Sequence, residues 1–372
     1  MINKIAVIGT APGQKDLYLE AKKAGYYTIG FSWEISSELE SYVDKFYEIS
    51  ILEKDRIVEI CHNENVKGIV SNGSELTIQI VSYVAEKLNL PCTPYQTILN
   101  IQDKIFVRRI TNNISGLNQV KFSIYDGTTT YCTPCVIKPT IGGGKAGVSY
   151  VSSIDEFNNA IAYAKTVSNS ILIEDYIDGQ EVSVECISFN KKHYVIQITD
   201  KENSGPPHFV ELAHHQPSCI SQKNKNKIIG IVPKILNEIG FTNGATHIEM
   251  KISNNQIYLI EVNPRGGGDE ISNKLVKLST GFNYLLAMIQ VALGEFNYIK
   301  PQEHNFSGIY FLTKQSESLL PFFLDAPNKP WYVNGAIFSS NLKESLGNAM
   351  KDGYLIYKSD HKISPKTYCY DK

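Results

Sequence analysis

Short apolar runs alternate with amphipathic stretches from the start of the chain. Lys4–Gly9 (KIAVIG) is a β-branched run ending in glycine, which predicts a buried strand. Lys15–Ala24 has helical spacing and is closed by Gly25. Tyr27–Ser32 reads as a second strand, Asp55–Asn63 as a helix, Gly68–Ser71 as a third strand and Ser74–Leu88 as a helix before Leu90-Pro91. Strands alternating with helices imply a parallel sheet with right-handed crossovers, so residues 1–98 are expected to form an α/β domain. The first turn, Gly9 to Gln14, lacks GxGxxG spacing. It is either a tight turn or a small-ligand contact at the strand ends.

From Asn100 the pattern changes. A helix is predicted over Ile101–Thr111, a strand over Cys135–Lys138 and a helix over Ser153–Val167. Ile171–Tyr176 and Glu181–Phe189 read as strands around Asp178-Gly179-Gln180, followed by a strand at Tyr194–Asp200 and a helix at Lys225–Ile239 closed by Gly240. Ala245–Ile252 and Ile257–Val262 form a strand pair around Ser253-Asn254-Asn255. Helices over Ile271–Ser279 and Phe282–Leu293 precede a final stretch of strands and turns after Gly294.

Composition removes some classes of function. The 372 residues carry a formal net charge of -2 with 20% charged positions of both signs, so no basic stripe suggests nucleic acid. No apolar run reaches the ~18 residues of a membrane span, and the start lacks the pattern of a secretory leader. A cytoplasmic protein with no membrane and no nucleic-acid partner is expected. Seven cysteines are scattered, as suits reduced thiols. Cys132 and Cys135 make a lone CxxC without a second ligand pair, and are read as structural or incidental.

Three places carry candidate chemistry. After the strand at Cys135–Lys138 come Gly142, Gly143 and Gly144, whose bare backbone N–H groups suit phosphate oxygens as well as a flexible turn. Lys138 ends an apolar strand, where burial is costly unless an anion meets it; Lys104 is a second candidate cation. The strand pair carries Glu249 on one arm and Glu261 with Asn263, two apart, on the other. Folding the hairpin would bring two carboxylates and an amide oxygen together, a hard-oxygen set suited to magnesium beside phosphates. The flanking Ile248, Met250, Ile260 and Val262 are expected on the buried face. Arg265 follows at once, able to pair with an oxyanion or phosphate, and Gly266, Gly267 and Gly268 would let N–H groups approach a reacting carboxylate. Glu211 and His214 lie after Ser204-Gly205-Pro206-Pro207, a loop expected to be mobile. On the residues alone they are surface polar groups or substrate contacts.

These motifs together resemble the ATP-grasp ligases. Lys104, VIKPTIGGGKAGV, ILIEDYIDGQEVSVE, GATHIEMK and LIEVNPRGGGD fall in that family's order between Asn100 and about Gly294. THxE at Thr246–Glu249 and NPRxGGD at Asn263–Asp269 resemble the branch of L-amino-acid ligases (dipeptide synthases). The implied fold is α/β overall and α+β in the grasp. A Rossmann-like parallel-sheet domain (1–98) precedes a two-subdomain ATP-grasp domain (99–300, lid about 112–177) and a small C-terminal α+β segment (301–372).

The resemblance implies ATP and two Mg2+ ions, or Mn2+, as cofactors. It sets Lys104, Lys138 and Gly142 to Gly144 on the phosphates, Glu174, Asp175 and Ile177 at the adenine hinge, and Glu181 on the ribose. Glu249, Glu261 and Asn263 would bind metal. Arg265 would steady the transferring phosphate and tetrahedral intermediate, with Gly267 and Gly268 beside it. Glu211, His214 and Arg265 would meet the substrate. Small-molecule carboxylate and amine substrates and a homodimer follow as expectations. A carboxylating or carbamoyl-phosphate-type ligase, or an inactive nucleotide-binding protein, are the alternatives.

Overall fold

The computed structural model describes residues 3–128, 134–339, 341–344 and 351–365; Cys132 of the CxxC pair lies outside them. The N-terminal sheet consists of β1 (Lys4–Ile8), β2 (Tyr27–Ser32), β3 (Lys45–Glu48) and β4 (Gly68–Val70), all parallel in the order β3-β2-β1-β4. Strands β1, β2 and β4 are buried on both faces because α1 (Lys15–Lys23), α2 (Lys54–Asn63) and α3 (Glu75–Lys87) cover the sheet, while the edge strand β3 is partly exposed. Ser74 caps α3 by accepting from the Thr77 N–H. In the Gly9–Gln14 turn Gln14 is buried and bridges Ser71 and the Asn72 backbone, closing the strand ends, while Ala11, Gly13 and Gln14 line a cavity there.

The helix expected over 101–111 is two helices, α4 (Tyr95–Gln102) and α5 (Lys104–Ile110). Asp103 breaks the run by leaving helical geometry and capping α5 through the Ile105 N–H. Lys104 thus opens a helix, and its backbone N–H is bonded to the Thr140 carbonyl of the next subdomain.

That subdomain is a sheet of β5 (Phe122–Ile124), β6 (Cys135–Pro139), β7 (Ser149–Val151) and β8 (Ile171–Asp175), in the order β5-β8-β6-β7 and antiparallel throughout. One helix, α6 (Ile154–Lys165), covers it through Phe157, Ala160, Ile161 and Ala164. It starts on a capping box between Ser153 and Glu156.

The third sheet has eight strands. These are β9 (Gln180–Phe189), β10 (Lys192–Asn203), β11 (Glu211–Gln216), β12 (Gly244–Ser253), β13 (Gln256–Asn263), β14 (Phe306–Leu312), β15 (Tyr332–Ile337) and β16 (Gly353–Ser359), in the order β13-β12-β9-β10-β11-β14-β16-β15. In sequence the 301–372 stretch reads as its own unit, yet its strands β14 to β16 extend this sheet. Glu211 and His214 also differ from the loop reading: both lie on β11, each 1% exposed. Pro206-Pro207 precede that strand instead of preventing it.

Helix α7 (Gln222–Glu238) packs on the face carrying Val182, Val184, Ile248 and Met250. After α8 (Val276–Thr280), α9 (Tyr284–Leu293) packs between the central and N-terminal sheets. The approach there is close: a Cβ at Gly68 would lie 3.0 Å from the Ala292 backbone, so a larger residue would push α9 away from β4. Among the described residues no single helix is long and apolar enough to cross a membrane.

Candidate active site

The β12–β13 hairpin sets Glu249 directly opposite Glu261 and His247 opposite Asn263. A bulge between Glu249 and Met250 makes this possible. It inserts one extra residue in β13, so alternation reverses there: Ile257, Leu259 and Val262 all point into the core. The sequence reading placed Ile260 on that buried face. The bulge turns it out instead, to line a narrow cavity of about 110 Å³ beside Glu261. The freed Ile260 carbonyl accepts from Arg108 Nη2 at 2.7 Å.

Arg108 and Lys138 converge on Glu174. Arg108 Nε lies 2.7 Å from one carboxylate oxygen and Lys138 Nζ 2.7 Å from the other. Burial would raise the Glu174 carboxyl, but Arg108 and then Lys138 hold it down to about 2. Glu174 was expected only at the adenine hinge; its oxygens in fact anchor two buried cations at the cavity wall. Burial pushes the Lys138 amine down despite Glu174. Lys104 reaches Glu261 at 2.8 Å and the Gly142 carbonyl at 2.8 Å. Burial opposes its charge, but Glu261 keeps its pKa raised.

A second network holds three carboxylates together. Glu181, Glu211 and Glu249 each bring an oxygen within 4.8 Å of the others, the spacing of a metal group. Two lysines stand among them. Lys201 is 2.6 Å from Glu249, 3.0 Å from Glu211 and 3.5 Å from Glu181; Lys145 is 2.6 Å from Glu211 and 3.4 Å from Glu181. Burial alone would lift the Glu249 carboxyl; Lys201 and His247 hold it well below the usual range. His247 donates to Glu185 at 2.7 Å and reaches Glu249 at 3.4 Å. Against the penalty of burial, Glu185 and Glu249 raise its pKa to about 9.

The glycines of the Arg265 turn behave differently from one another. The Gly267 N–H is already donated to Glu185 at 3.2 Å, so it is not free for a reacting carboxylate as expected. Gly268 lines the cavity shared by Glu249, Glu261, Asn263 and Arg265. Arg265 Nε is buried with no hydrogen-bond partner among the described residues, while its Nη2 approaches Glu75 of α3 at 3.8 Å. The loop Gly142 to Gly144 closes over this cavity, and Gly143 lies so near Glu75 that a Cβ there would meet its Oε1 at 2.6 Å.

The narrow cavity runs from Lys104 and Lys138 past Glu174, Asp175 and Ile177 to Glu181. Its outer wall is aromatic: Tyr176 and Phe209 stack at 6.0 Å, and Lys251 lies over both rings while donating to the Ile177 carbonyl at 3.1 Å. Flat aromatic walls with a cation suit a planar base. The donor set also fits a divalent cation. Glu249, Glu261 and Asn263 line one cavity, a hard-oxygen set, and Arg265, whose buried Nε has no partner among the described residues, lines it with them.

Residues 131–274 match the family model of the ATP-grasp domain, the class that the fold and the site resemble. The chain is 25% identical over 246 residues to the alanine–anticapsin ligase of Bacillus amyloliquefaciens, covering 58% of this chain and 51% of that protein. It therefore spans about half the length of the alanine–anticapsin ligases it matches. The L-amino acid ligase from Bacillus licheniformis has the same fold, with a TM-score of 0.81 at 22% identity over 98% of this chain and 95% of that one. So does the N5-carboxyaminoimidazole synthetase from Staphylococcus aureus, solved complexed with ADP: TM-score 0.76, 18% identity, 99% and 95% covered.

Proposed function

We propose that this chain is an ATP-dependent ligase that joins a carboxylate, an amino acid in the first instance, to an amine through an acyl-phosphate. The observation that carries the reading is one cavity lined by Glu249, Glu261, Asn263, Arg265 and Gly268, roofed by the glycine loop and continuous through Lys145, Glu249 and Glu261 with the narrow cavity. The base would lie between the Tyr176 and Phe209 wall and Ile260, near Asp175 and Ile177, with the ribose at Glu181. Lys104, Lys138 and the Gly142–Gly144 backbone would meet the phosphates. Glu249, Glu261 and Asn263 would hold two magnesium ions, whose chemistry is to neutralise the charge on the phosphates.

In the first step a carboxylate oxygen of the donor attacks the γ-phosphorus. The bond to the bridging oxygen breaks, and ADP leaves with its electron pair. The amine, having lost a proton, then attacks the acyl carbon; the C–O bond breaks and inorganic phosphate leaves. One proton is released to solvent overall. Arg265 is placed to pair with the negative charge that develops in both steps, its Nε being without a partner among the described residues. We assign Glu211 to holding Lys145 and Lys201 in place, since both ammonium groups lie on its carboxylate. His214 faces the substrate side through Asp269, 3.4 Å away.

Hydroxylamine tests the intermediate. With ATP, magnesium and pooled amino acids it should trap the activated carboxylate as a hydroxamate, with ADP and not AMP released, and Glu261→Gln should abolish the signal. ADP release without a hydroxamate from any amino acid would sink the acyl-phosphate reading.

A further inference from the structure

A wide cavity of about 470 Å³ lies between the N-terminal domain, the Gly267–Glu270 turn and the strands β14 and β16. It shares Gly73, Gly268 and Asp269 with the cavity lined by Glu249, Glu261, Asn263 and Arg265, so a molecule in it would face the site proposed above for the transferring phosphate. Its size is that of a small-molecule site. Ile309, Phe311, Phe338 and Tyr354 give it an apolar wall, and Lys351 is the one basic side chain among its described lining residues.

Lys351 is placed unusually for a lysine. Its side chain is only 12% exposed, its ammonium lies 2.6 Å from Asp269 Oδ2, and it sits 3.4 Å from the centroid of the Phe311 ring. An ammonium group has three donors. Asp269 offers it one charged partner, and no other polar partner for the ammonium exists among the described residues. A buried cation with donors to spare on a cavity wall fits an anionic group of a ligand.

We propose that Lys351 reads the carboxylate of an α-amino acid that serves as the amine substrate, with an apolar side chain of that substrate against Phe311 and Tyr354. The inference rests on the ligase reading above. The geometry explains why an α-amino acid fits. Asp269 Oδ2 lies 2.6 Å from the Lys351 ammonium and 3.4 Å from His214 Nε2, and His214 lines the metal-side cavity. A carboxylate on Lys351 therefore sets the amine, two bonds away, beside Asp269 and Gly268, facing the acyl group. A simple amine lacks the group that Lys351 would hold, and leaves the ammonium buried on Asp269 alone.

The test compares L-phenylalanine with phenethylamine and phenylalaninamide as amine substrates, with pooled amino acids as carboxylate donors and amide products read by mass spectrometry. The unaltered protein should prefer L-phenylalanine by at least tenfold in kcat/KM. Lys351→Met should bring that ratio close to one, mainly through a higher KM for L-phenylalanine, and Lys351→Arg should restore part of it. An unaltered protein that uses phenethylamine as well as L-phenylalanine, or a Lys351→Met ratio equal to the parent's, would overturn the assignment. Hydroxamate formation by the unaltered protein, which needs no amine substrate, is measured alongside. If it is present while the ratio is insensitive to Lys351, this inference alone fails; if it is absent, the ligase reading fails first and takes this one with it.

Discussion

Replacing Glu174 with glutamine takes one negative charge from between two buried cations. Arg108 and Lys138 each lie 2.7 Å from a Glu174 oxygen, and the three side chains are 2%, 7% and 4% exposed in the order Arg108, Lys138, Glu174. Arg108 keeps the Ile260 carbonyl as a partner, but Lys138 loses its counter-charge. Removing one member of a buried ion pair costs about 3–5 kcal/mol, because the remaining charge is left uncompensated. The cost should fall on β6 and β8, the strands that carry Lys138 and Glu174. Hydrogen exchange reads it there: opening free energies of the β6 and β8 amides should drop by about 3–5 kcal/mol in Glu174→Gln. Lys138→Met should cost less, since Glu174 keeps Arg108. MgATP should restore more stability to Glu174→Gln than to the parent, by giving Lys138 a phosphate. A loss below about 1 kcal/mol in Glu174→Gln, the size of an ordinary substitution, would refute the argument.

Acid should act on the same triad. Glu174 is held to about 2 against a usual 4.5, so its contribution is complete above 4.5 and is lost as pH falls toward 2. Protection of β6 and β8 should decline in that window. Gly267→Ala should lower the melting temperature, because its Cβ would lie 2.8 Å from His247 Nδ1 and 2.9 Å from Glu185 Oε2. Gly268→Ala should leave it nearly unchanged, with no atom within 4 Å. Ser153→Ala should cost about 1 kcal/mol at the start of α6, read as faster exchange in its first turn. Glu261→Ala should end ADP release while circular dichroism stays native, since this side chain is partly exposed and its main contact is Lys104.

The parallel N-terminal sheet, the glycine loop and the carboxylate hairpin were all legible in the chain. Each is a local pattern: alternating β-branched runs, consecutive glycines, and polar residues two apart in an apolar strand. The Asp103 break was not read: a capping residue stands just before Lys104, but the apolar spacing of 101–111 concealed it. The bulge was not, because an extra residue shows only in the partner's register, and so Ile260 was placed on the wrong face. Lys145, Lys201, Arg108 and Lys351 were missed for a common reason. Their partners are Glu211, Glu249, Glu174 and Asp269, set on other elements, and nothing in the local sequence marks a lysine or arginine as buried. A signal existed for Lys201, which shares a strand face with Gln197 and Thr199 and lies in the continuously buried stretch Ile196 to Lys201 of β10. Glu211 and His214 were named as candidates, but the prolines just before them suggested a loop where a buried strand lies.

The central claim is that oxygen donors, cations and glycine backbone meet here to make an amide from a carboxylate and an amine at the expense of ATP. Mass spectrometry after incubation with ATP, magnesium and pooled amino acids, with ADP and phosphate measured in parallel, tests it most directly. The account predicts a product whose mass is the sum of two amino acids less one water, formed in equal amount with ADP and phosphate. ADP release that requires bicarbonate and yields no such product, or tight ATP binding with no phosphate released, would contradict it.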